Sequence, residues 1–294
     1  MSSSSLPPSA PLPLMGAPIP VGAMTVMPLR DGFFPLPIDS FPNIASPVGA
    51  AIIEDMGLPP AGPFPTPINA FVVERAGRLA IIDAGMGAGI GAGGGPGLGK
   101  VAGALADARF DRAKVEAVLM THLHIDHAGG TFGEDGTAFF PNAELVVQQK
   151  EADFWTDDGM WSRAPSDMDY LFRAARTALA AYAGRVRLVS GAVELWPGLT
   201  ALPLPGHTPG HAGIWIADGD DSLLVWGDVM HVAAMQFPHP DWLGVVDVDP
   251  AMAAETRLRL LDRLASEGTP VTGSHLDMRG RILRAGSAYR MAAA

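Results

Sequence analysis

Three histidines and an aspartate fall within six residues, directly after an apolar run. The segment reads His122-Leu123-His124-Ile125-Asp126-His127, and the preceding Val115–Met120 has the composition of a buried strand. A loop at the end of a strand can turn all four polar side chains toward one small volume. Imidazole and carboxylate groups together suit zinc, iron, cobalt or manganese. The segment therefore predicts a metal site at a sheet edge.

Further candidate ligands follow later predicted strands. They are His207 in Gly206-His207-Thr208-Pro209-Gly210-His211, Asp228 in Trp226-Gly227-Asp228, and His275 in Gly273-Ser274-His275. The chain has no cysteine, which excludes thiolate metal sites, disulfides and cysteine nucleophiles. Any metal must therefore be held by histidines and carboxylates.

Charge and hydropathy exclude several classes of protein. Hydrophobic residues make up 48% of the chain and charged residues 17%, which does not fit a disordered chain. The net charge of −11 argues against nucleic acid as a partner. No apolar run reaches about 18 residues, so no membrane partner is expected. Residues 1–22 are rich in serine and proline, contain no Lys or Arg, and predict an extended arm on a cytoplasmic protein.

Strand and helix patterns alternate through residues 23–294, which we expect to form a single domain of mixed class. Arg30–Pro67 is rich in proline and phenylalanine and predicts a long loop region that supplies a hydrophobic wall, a dimer contact or both. Asp249 and Pro250 predict the start of a helix that ends at Gly268.

The histidine motifs, taken together, resemble those of the metallo-β-lactamase fold superfamily of metal-dependent hydrolases. The resemblance runs from about Met24 to the C-terminus. It implies an α+β fold, an αββα sandwich of two mixed β-sheets packed face to face and flanked by helices. The metal site of this family lies at one edge of the sandwich.

The resemblance also implies a ligand set for two divalent metal ions, with zinc first and iron, cobalt or manganese as alternatives. Asp228 and a hydroxide would bridge the ions, and that hydroxide would attack the substrate. Asp83 would brace the histidine loop, and His211 would be structural. The first ion would take His122, His124 and His207, and the second Asp126, His127 and His275.

Within the superfamily, the chain is similar to the methyl parathion hydrolase group and its lactonase relatives. The segments that carry this likeness are Phe140-Pro141-Asn142-Ala143, Gln149-Lys150-Glu151-Ala152-Asp153-Phe154-Trp155, Val232-Ala233-Ala234-Met235-Gln236-Phe237 and Ser274-His275-Leu276. By that resemblance Trp155, Phe172 and Ile90 line the substrate pocket. His231, three residues after Asp228, is a further pocket and catalytic candidate.

We therefore expect a dinuclear hydrolase that cleaves small, neutral, apolar lactones or esters, such as acyl-homoserine lactones or aryl esters. A secondary phosphotriesterase activity and a homodimer are also expected. The predicted catalytic residues are Asp126, Asp228 and His231, and Asp126 is the predicted proton shuttle. The alternatives are a mononuclear iron dioxygenase of the same fold and a non-catalytic metal-binding relative.

Overall fold

The computed structural model of the chain describes residues 12–87 and 97–293. These residues form two β-sheets that face each other, with helices on both outer sides. Each sheet contains both parallel and antiparallel pairs. The predicted fold class, an α+β sandwich of two mixed sheets flanked by helices, is confirmed.

The first sheet has seven strands, in the order β2-β3-β4-β5-β6-β7-β8. Strands β5 to β8 run parallel, and the earlier pairs are antiparallel. The strands are β2 (Ile19–Val21), β3 (Met24–Leu36), β4 (Phe64–Arg75), β5 (Arg78–Ile82), β6 (Val115–Leu119), β7 (Glu144–Gln148) and β8 (Val186–Val189).

The second sheet has eight strands, in the order β1-β14-β13-β12-β11-β10-β9, with β15 also paired to β14. Only β12 and β13 are parallel among the pairs of its described strands. The strands are β1 (Leu12–Pro13), β9 (Glu194–Trp196), β10 (Leu199–Pro203), β11 (Ala212–Asp218), β12 (Asp221–Val225), β13 (Pro270–Thr272), β14 (Met278–Ala285) and β15 (Ala288–Ala292).

Eight α-helices lie in the described part of the chain. They are α1 (Pro47–Asp55), α2 (Val101–Asp107), α3 (Ile125–Ala128), α4 (Gln149–Thr156), α5 (Asp158–Arg163), α6 (Asp169–Ala181), α7 (Ala233–Gln236) and α8 (Pro250–Glu267). As predicted, Asp249 caps α8 by accepting a hydrogen bond from the Met252 amide, and Gly268 ends it in the left-handed conformation.

The alternation of side chains along each strand divides the core into layers. On β5, Ala80 and Ile82 point into the core between the sheets, whereas Ile81 faces the helices outside. On β12, Val225 faces the same inner core and Leu224 packs toward α8. Both faces of each sheet are thus covered, which explains why these strands read as continuous apolar runs.

The prediction of a loop over residues 30–67 is wrong. The segment contains the second half of β3, two short 3₁₀ turns, α1 and the start of β4. The prolines of this segment favour a loop, but in the structure some of them lie within strands: Pro35 pairs with Pro65 inside the β3–β4 ladder. Among the described residues this part of both strands is paired on one side only, and proline is tolerated at such an open edge.

Residues 12–21 of the predicted arm contribute a short strand to each sheet. Leu12 and Pro13 pair with β14, and Ile19–Val21 pairs with β3. Leu14, between them, is fully buried in the inner core. None of the described helices is long and apolar enough to cross a membrane.

Candidate metal centre

All seven predicted ligands come together at one edge of the sandwich. The His122–His127 loop follows β6 of the first sheet and runs into α3. In the second sheet, His207 follows β10, Asp228 follows β12 and His275 follows β13. Polar side chains at strand ends from both sheets therefore meet in one place.

Three imidazole nitrogens converge in the first group of candidate ligands. His124 Nδ1 lies 3.1 Å from His122 Nε2 and 2.9 Å from His207 Nε2. All three side chains are buried. Two nitrogens on one tetrahedral zinc ion are about 3.3 Å apart, given Zn–N bonds of about 2.05 Å. The spacing of this group therefore suits a single ion.

A second group consists of Asp126, His127, Asp228 and His275. His127 Nε2 lies 3.4 Å from Asp126 Oδ2 and 3.3 Å from Asp228 Oδ1. The other oxygen of Asp228, Oδ2, lies 2.9 Å from His275 Nε2 and 3.3 Å from His207 Nε2. Asp228 thus stands between both groups, which together suit a dinuclear metal site.

The outer nitrogens of four rings are fixed by hydrogen bonds, which leaves Nε2 of each ring facing inward. The Nδ1–H group of His122 donates to Thr121 Oγ1 (3.0 Å), and that of His127 donates to Asp83 Oδ2 (2.8 Å). The Nδ1–H group of His207 donates to Asp247 Oδ1 (2.8 Å), and that of His275 donates to the Pro67 carbonyl (2.7 Å). Outer partners of this kind fix the tautomer and orientation of metal-binding histidines.

Unpaired polar atoms inside the cluster also fit a cation. His127 Nε2 and Asp228 Oδ1 are buried and have no hydrogen-bond partner. Such atoms cost free energy unless something compensates them. Lone pairs that meet at about 3 Å also repel one another unless a cation lies between them. The residues present therefore fit divalent metal ions.

The carboxylates give the cluster a strongly negative field. Burial disfavours the charged form of His207, but Asp228 and Asp247 outweigh burial and raise its pKa to about 9. Against the same effect of burial, Asp228, Asp126 and Asp83 raise the pKa of His127. A field that draws protons onto buried imidazoles also favours bound cations.

Asp83 holds the histidine loop in place, as predicted. Its carboxylate accepts hydrogen bonds from the Thr121 amide (2.9 Å) and hydroxyl (2.8 Å), in addition to the His127 ring. Its backbone φ is +54°, a left-handed conformation that aspartate tolerates better than most residues.

His211 supports Asp228 and is a structural residue, as predicted. Its Nδ1–H donates to the Leu204 carbonyl (2.8 Å), and its Nε2 accepts from the Asp228 amide (2.9 Å). Burial and the nearby His207 lower the pKa of His211 to about 3, so the ring is neutral. Gly227 has a φ of +61°, and a Cβ there would lie 2.5 Å from His211 Nε2. Glycine at position 227 is therefore needed for this close approach.

Two buried carboxylates of the centre have no predicted role in the sequence. Asp247 binds the outer nitrogen of His207, and Glu151 accepts from the Leu123 and Gly210 amides and the Thr208 hydroxyl. Burial raises the pKa of Glu151, although these donors oppose the shift. Asp247 belongs to no short motif, and Glu151 lies in the quoted segment 149–155, in which the family likeness assigns it no role.

A cavity of about 650 Å³ opens onto the cluster. Six polar side chains at its end are those of His124, Asp126, His207, Asp228, His231 and His275. Its walls are mostly apolar, formed by Phe34, Leu36, Met86, Ile125, Met168, Leu171, Val245 and Val246. Thr66, Asp167 and Tyr170 are the other polar residues of the lining.

The structure places the predicted pocket aromatics elsewhere. Trp155 and Phe172 are buried in the core of the first sheet, with their ring centroids 4.8 Å apart. They do not line the cavity, because Trp155 packs behind His124 and donates to Glu151 (2.6 Å). Ile90 lies outside the described residues.

His231 lines the cavity beside Asp228. Its Nε2 lies 3.3 Å from Asp228 Oδ2, and its ring stacks on that of His275 at 5.0 Å between centroids. Its amide donates to Gln236 Oε1 (2.7 Å), while its buried Nδ1 has no partner. Burial lowers the pKa of His231, so the ring is neutral at neutral pH.

Comparisons with known proteins agree with this geometry. The family model of the Metallo-beta-lactamase superfamily matches residues 63–272. An N-acyl homoserine lactonase of Bacillus sp. is 30% identical over 99 residues, which cover 34% of this chain and 32% of the relative. An N-acyl homoserine lactonase of Bacillus thuringiensis is 25% identical over 151 residues, 51% of each chain. The matches thus span a third to a half of the curated relatives.

Two solved structures superpose over nearly the whole chain. One, described as hydrolase AbOPH in the beta lactamase superfamily, has a TM-score of 0.85 and 26% identity, and the match covers 97% of this chain and 98% of that one. The other is AidC, a dizinc quorum-quenching lactonase in complex with a product, N-hexanoyl-L-homoserine. It has a TM-score of 0.85 and 24% identity, and the match covers 95% of this chain and 97% of that one.

Proposed function

Because the chain belongs to the metallo-beta-lactamase superfamily, we propose that it is a dinuclear metal-dependent hydrolase of small neutral lactones. N-acyl homoserine lactones are the first candidate substrates, and aryl esters are the second. Phosphotriesters are proposed as a secondary activity only.

The observation that carries the proposal is an apolar cavity that ends on two groups of metal-binding side chains. Apolar walls bind an acyl chain, while the polar end receives the bond to be cleaved. Asp126 and Asp167 make the lining acidic, and the whole chain has a net charge of −11. A charge on the acyl chain would lose its hydration against the apolar walls, so an uncharged acyl chain fits this cavity better than an anionic one.

Each group of side chains would hold one ion. His122, His124 and His207 would hold the first, while Asp126, His127 and His275 would hold the second, with Asp228 between them. A pair of divalent ions supplies Lewis acidity and lowers the pKa of water, so that hydrolysis proceeds at neutral pH without a serine or cysteine nucleophile.

Three side chains of the lining are proposed to handle the substrate and its protons. Asp126 has a side chain 21% exposed to the cavity, and it would carry a proton to the departing oxygen. His231 lines the cavity with a neutral ring beside Asp228, so it would contact the ester group of the substrate. Tyr170 would add a hydroxyl donor, because burial, Asp126 and Asp167 raise its pKa and keep it protonated.

The relatives support the choice of lactones. The curated relatives given above are N-acyl homoserine lactonases, and the family match includes six of the seven ligand positions. Two donor groups favour a dinuclear hydrolase over a mononuclear iron dioxygenase. Zinc is the first proposed metal, with iron, cobalt and manganese as alternatives, because imidazole and carboxylate ligands suit all four.

The test is a substrate panel with zinc-loaded protein of measured metal content. Lactones with short and long acyl chains, aryl esters and phosphotriesters are compared by chromatography of the products. We expect neutral lactones with apolar acyl chains to be opened fastest, and the same lactones with a terminal carboxylate to react more slowly. Protein that holds two ions and opens no lactone would contradict the proposal.

His207→Ala is the matched inactive variant. It removes one ligand of the first group, so both the bound metal and nearly all turnover should fall. Arg263→Lys, on the exposed side of α8, should behave as wild type. Full turnover by the His207→Ala variant would refute the ligand assignment.

A homodimer is a separate proposal. Apolar side chains near the cavity are exposed, among them Phe33 at 50% and Val245 at 61%, and such surfaces are often covered by a partner. Light scattering after size-exclusion chromatography should give twice the chain mass of 30.7 kDa. A mass of one chain would exclude the dimer.

A further inference from the structure

Arg257 is a buried cation directly behind the metal centre. It lies on α8, is 1% exposed, and is fixed by hydrogen bonds to three backbone carbonyls. Its Nε donates to Val229 (2.7 Å), and its Nη1 donates to Pro240 (2.8 Å) and Trp242 (3.0 Å). These carbonyls belong to the segment that follows Asp228 and carries His231.

The same guanidinium faces the carboxylate that orients His207. Arg257 Nη2 lies 3.9 Å from Asp247 Oδ2, and both side chains are 1% exposed. Asp247 Oδ2 is buried and has no hydrogen-bond partner, whereas Oδ1 accepts from His207 Nδ1–H at 2.8 Å. A buried carboxylate without a nearby cation would be costly, so Arg257 offsets the charge of Asp247.

We propose that Arg257 is a positioning residue of the metal centre. Through Asp247 it fixes the ring of His207, and through the three carbonyls it fixes the segment that follows Asp228 and bears His231. One side chain thus sets the mutual placement of ligands from two separate loops. The proposal rests on the proposed roles of His207 and Asp228 as metal ligands.

The guanidinium geometry is essential to this role. Arginine presents five N–H donors in a planar fork, whereas lysine presents a compact ammonium on a flexible stem. A lysine at position 257 would keep the charge but could not reach carbonyls on both sides of the fork. Arg257→Lys should therefore release the segment without removing the positive charge.

The test is a zinc titration against a chromophoric chelator. Wild type should bind two ions. Arg257→Lys and Asp247→Asn should each weaken the binding of one ion by about 10- to 100-fold, the range typical of residues that hold a metal ligand in place. The zinc affinity of the double variant should fall by much less than the product of the two single losses, because both changes break the same Arg257–Asp247 contact. Arg263→Lys, on the same helix but exposed, is the control.

Two results would overturn the proposal. One is an Arg257→Lys variant that melts at a lower temperature yet binds both ions like wild type, since the residue would then be only structural. The other is a double variant whose loss of zinc affinity equals the product of the two single losses. Arg257→Gln replaces the lysine variant if that one does not fold, and the same outcomes apply.

The failure of this proposal is distinguishable from failure of the proposed function. If the wild type binds two ions and opens no lactone, the lactonase proposal is contradicted, and the zinc titration still tests the positioning role of Arg257. A wild type that binds fewer than two ions overturns the positioning role together with the dinuclear site.

Discussion

At the scale of single residues, the metal centre is organised by the atoms that face away from it. Thr121, Asp83, Asp247 and the Pro67 carbonyl accept the outer N–H groups of four rings. A neutral imidazole has only one N–H group. When its outer nitrogen carries that proton and donates it to an acceptor, the inner nitrogen keeps its lone pair for a metal.

Asp83→Asn is expected to weaken metal binding while leaving the backbone in place. Asparagine also tolerates the left-handed conformation at φ +54°, but its amide cannot accept all three hydrogen bonds. Zinc affinity should fall by about 10- to 100-fold, measured by chelator competition. The exposed Asp55→Asn variant is the control, and equal affinities in the two variants would contradict the role of Asp83.

Trp155→Ala is expected to destabilise the fold and not to alter substrate affinity selectively. The side chain is 1% exposed, and loss of a buried tryptophan costs about 3–5 kcal/mol. Urea unfolding measures this cost. Tyr170→Phe, at the cavity and 53% exposed, should instead change the kinetics and leave stability within about 0.5 kcal/mol. A Trp155→Ala variant that is as stable as wild type but has a raised KM would contradict this and would indicate that Trp155 contacts the substrate.

Zinc binding by metal-free protein should strengthen as pH rises from about 6 to 9. Without metal, acidic neighbours raise the pKa of His127 and His275 and raise that of His207 to about 9, in each case against burial. Zinc must displace these protons, so its apparent affinity is lower at low pH. Chelator competition at several pH values checks this, and an affinity independent of pH would contradict it.

At the scale of elements, the ligands at the ends of strands were predictable, whereas the supporting residue Asp247 was not. The motifs at positions 122–127, 207, 228 and 275 each follow an apolar run, so their convergence could be expected. Asp247 acquires its role from a ring 40 positions away in sequence. Such a contact arises only once the sheets have packed, and nothing local in the sequence encodes it.

The start of α8 was also predictable, because a cap is a local interaction. Asp249→Ala removes the acceptor for the Met252 amide (3.0 Å) and should cost about 1 kcal/mol. Denaturant unfolding measures the change, with Glu255→Ala on the exposed face of the same helix as the control. Stability equal to that of the control would show that the cap contributes nothing.

At the scale of the whole molecule, the centre joins the two sheets. The His122–His127 loop belongs to the first sheet, whereas His207, Asp228 and His275 belong to the second. An ion that binds only the folded state stabilises it by mass action. Ions bound at this centre would therefore add to the cohesion of the sandwich.

Removal of metal should lower the free energy of unfolding. Each ion present at 100 times its dissociation constant adds about 2.7 kcal/mol. Thermal unfolding of zinc-loaded and chelated protein measures the difference, and restoring zinc should reverse it. In the His207→Ala variant the difference should be smaller. Equal melting temperatures with and without zinc would contradict a centre that links the sheets.

The spread of these ligands along the chain also has a consequence during synthesis. A ribosome that has released only the first half of the polypeptide has delivered His122 to His127 but not His207, Asp228 or His275. The first group of donors is complete once His207 has emerged, and the second only once His275 has emerged. A nascent or prematurely terminated chain that ends before residue 275 will therefore lack part of the donor set proposed for two metal ions.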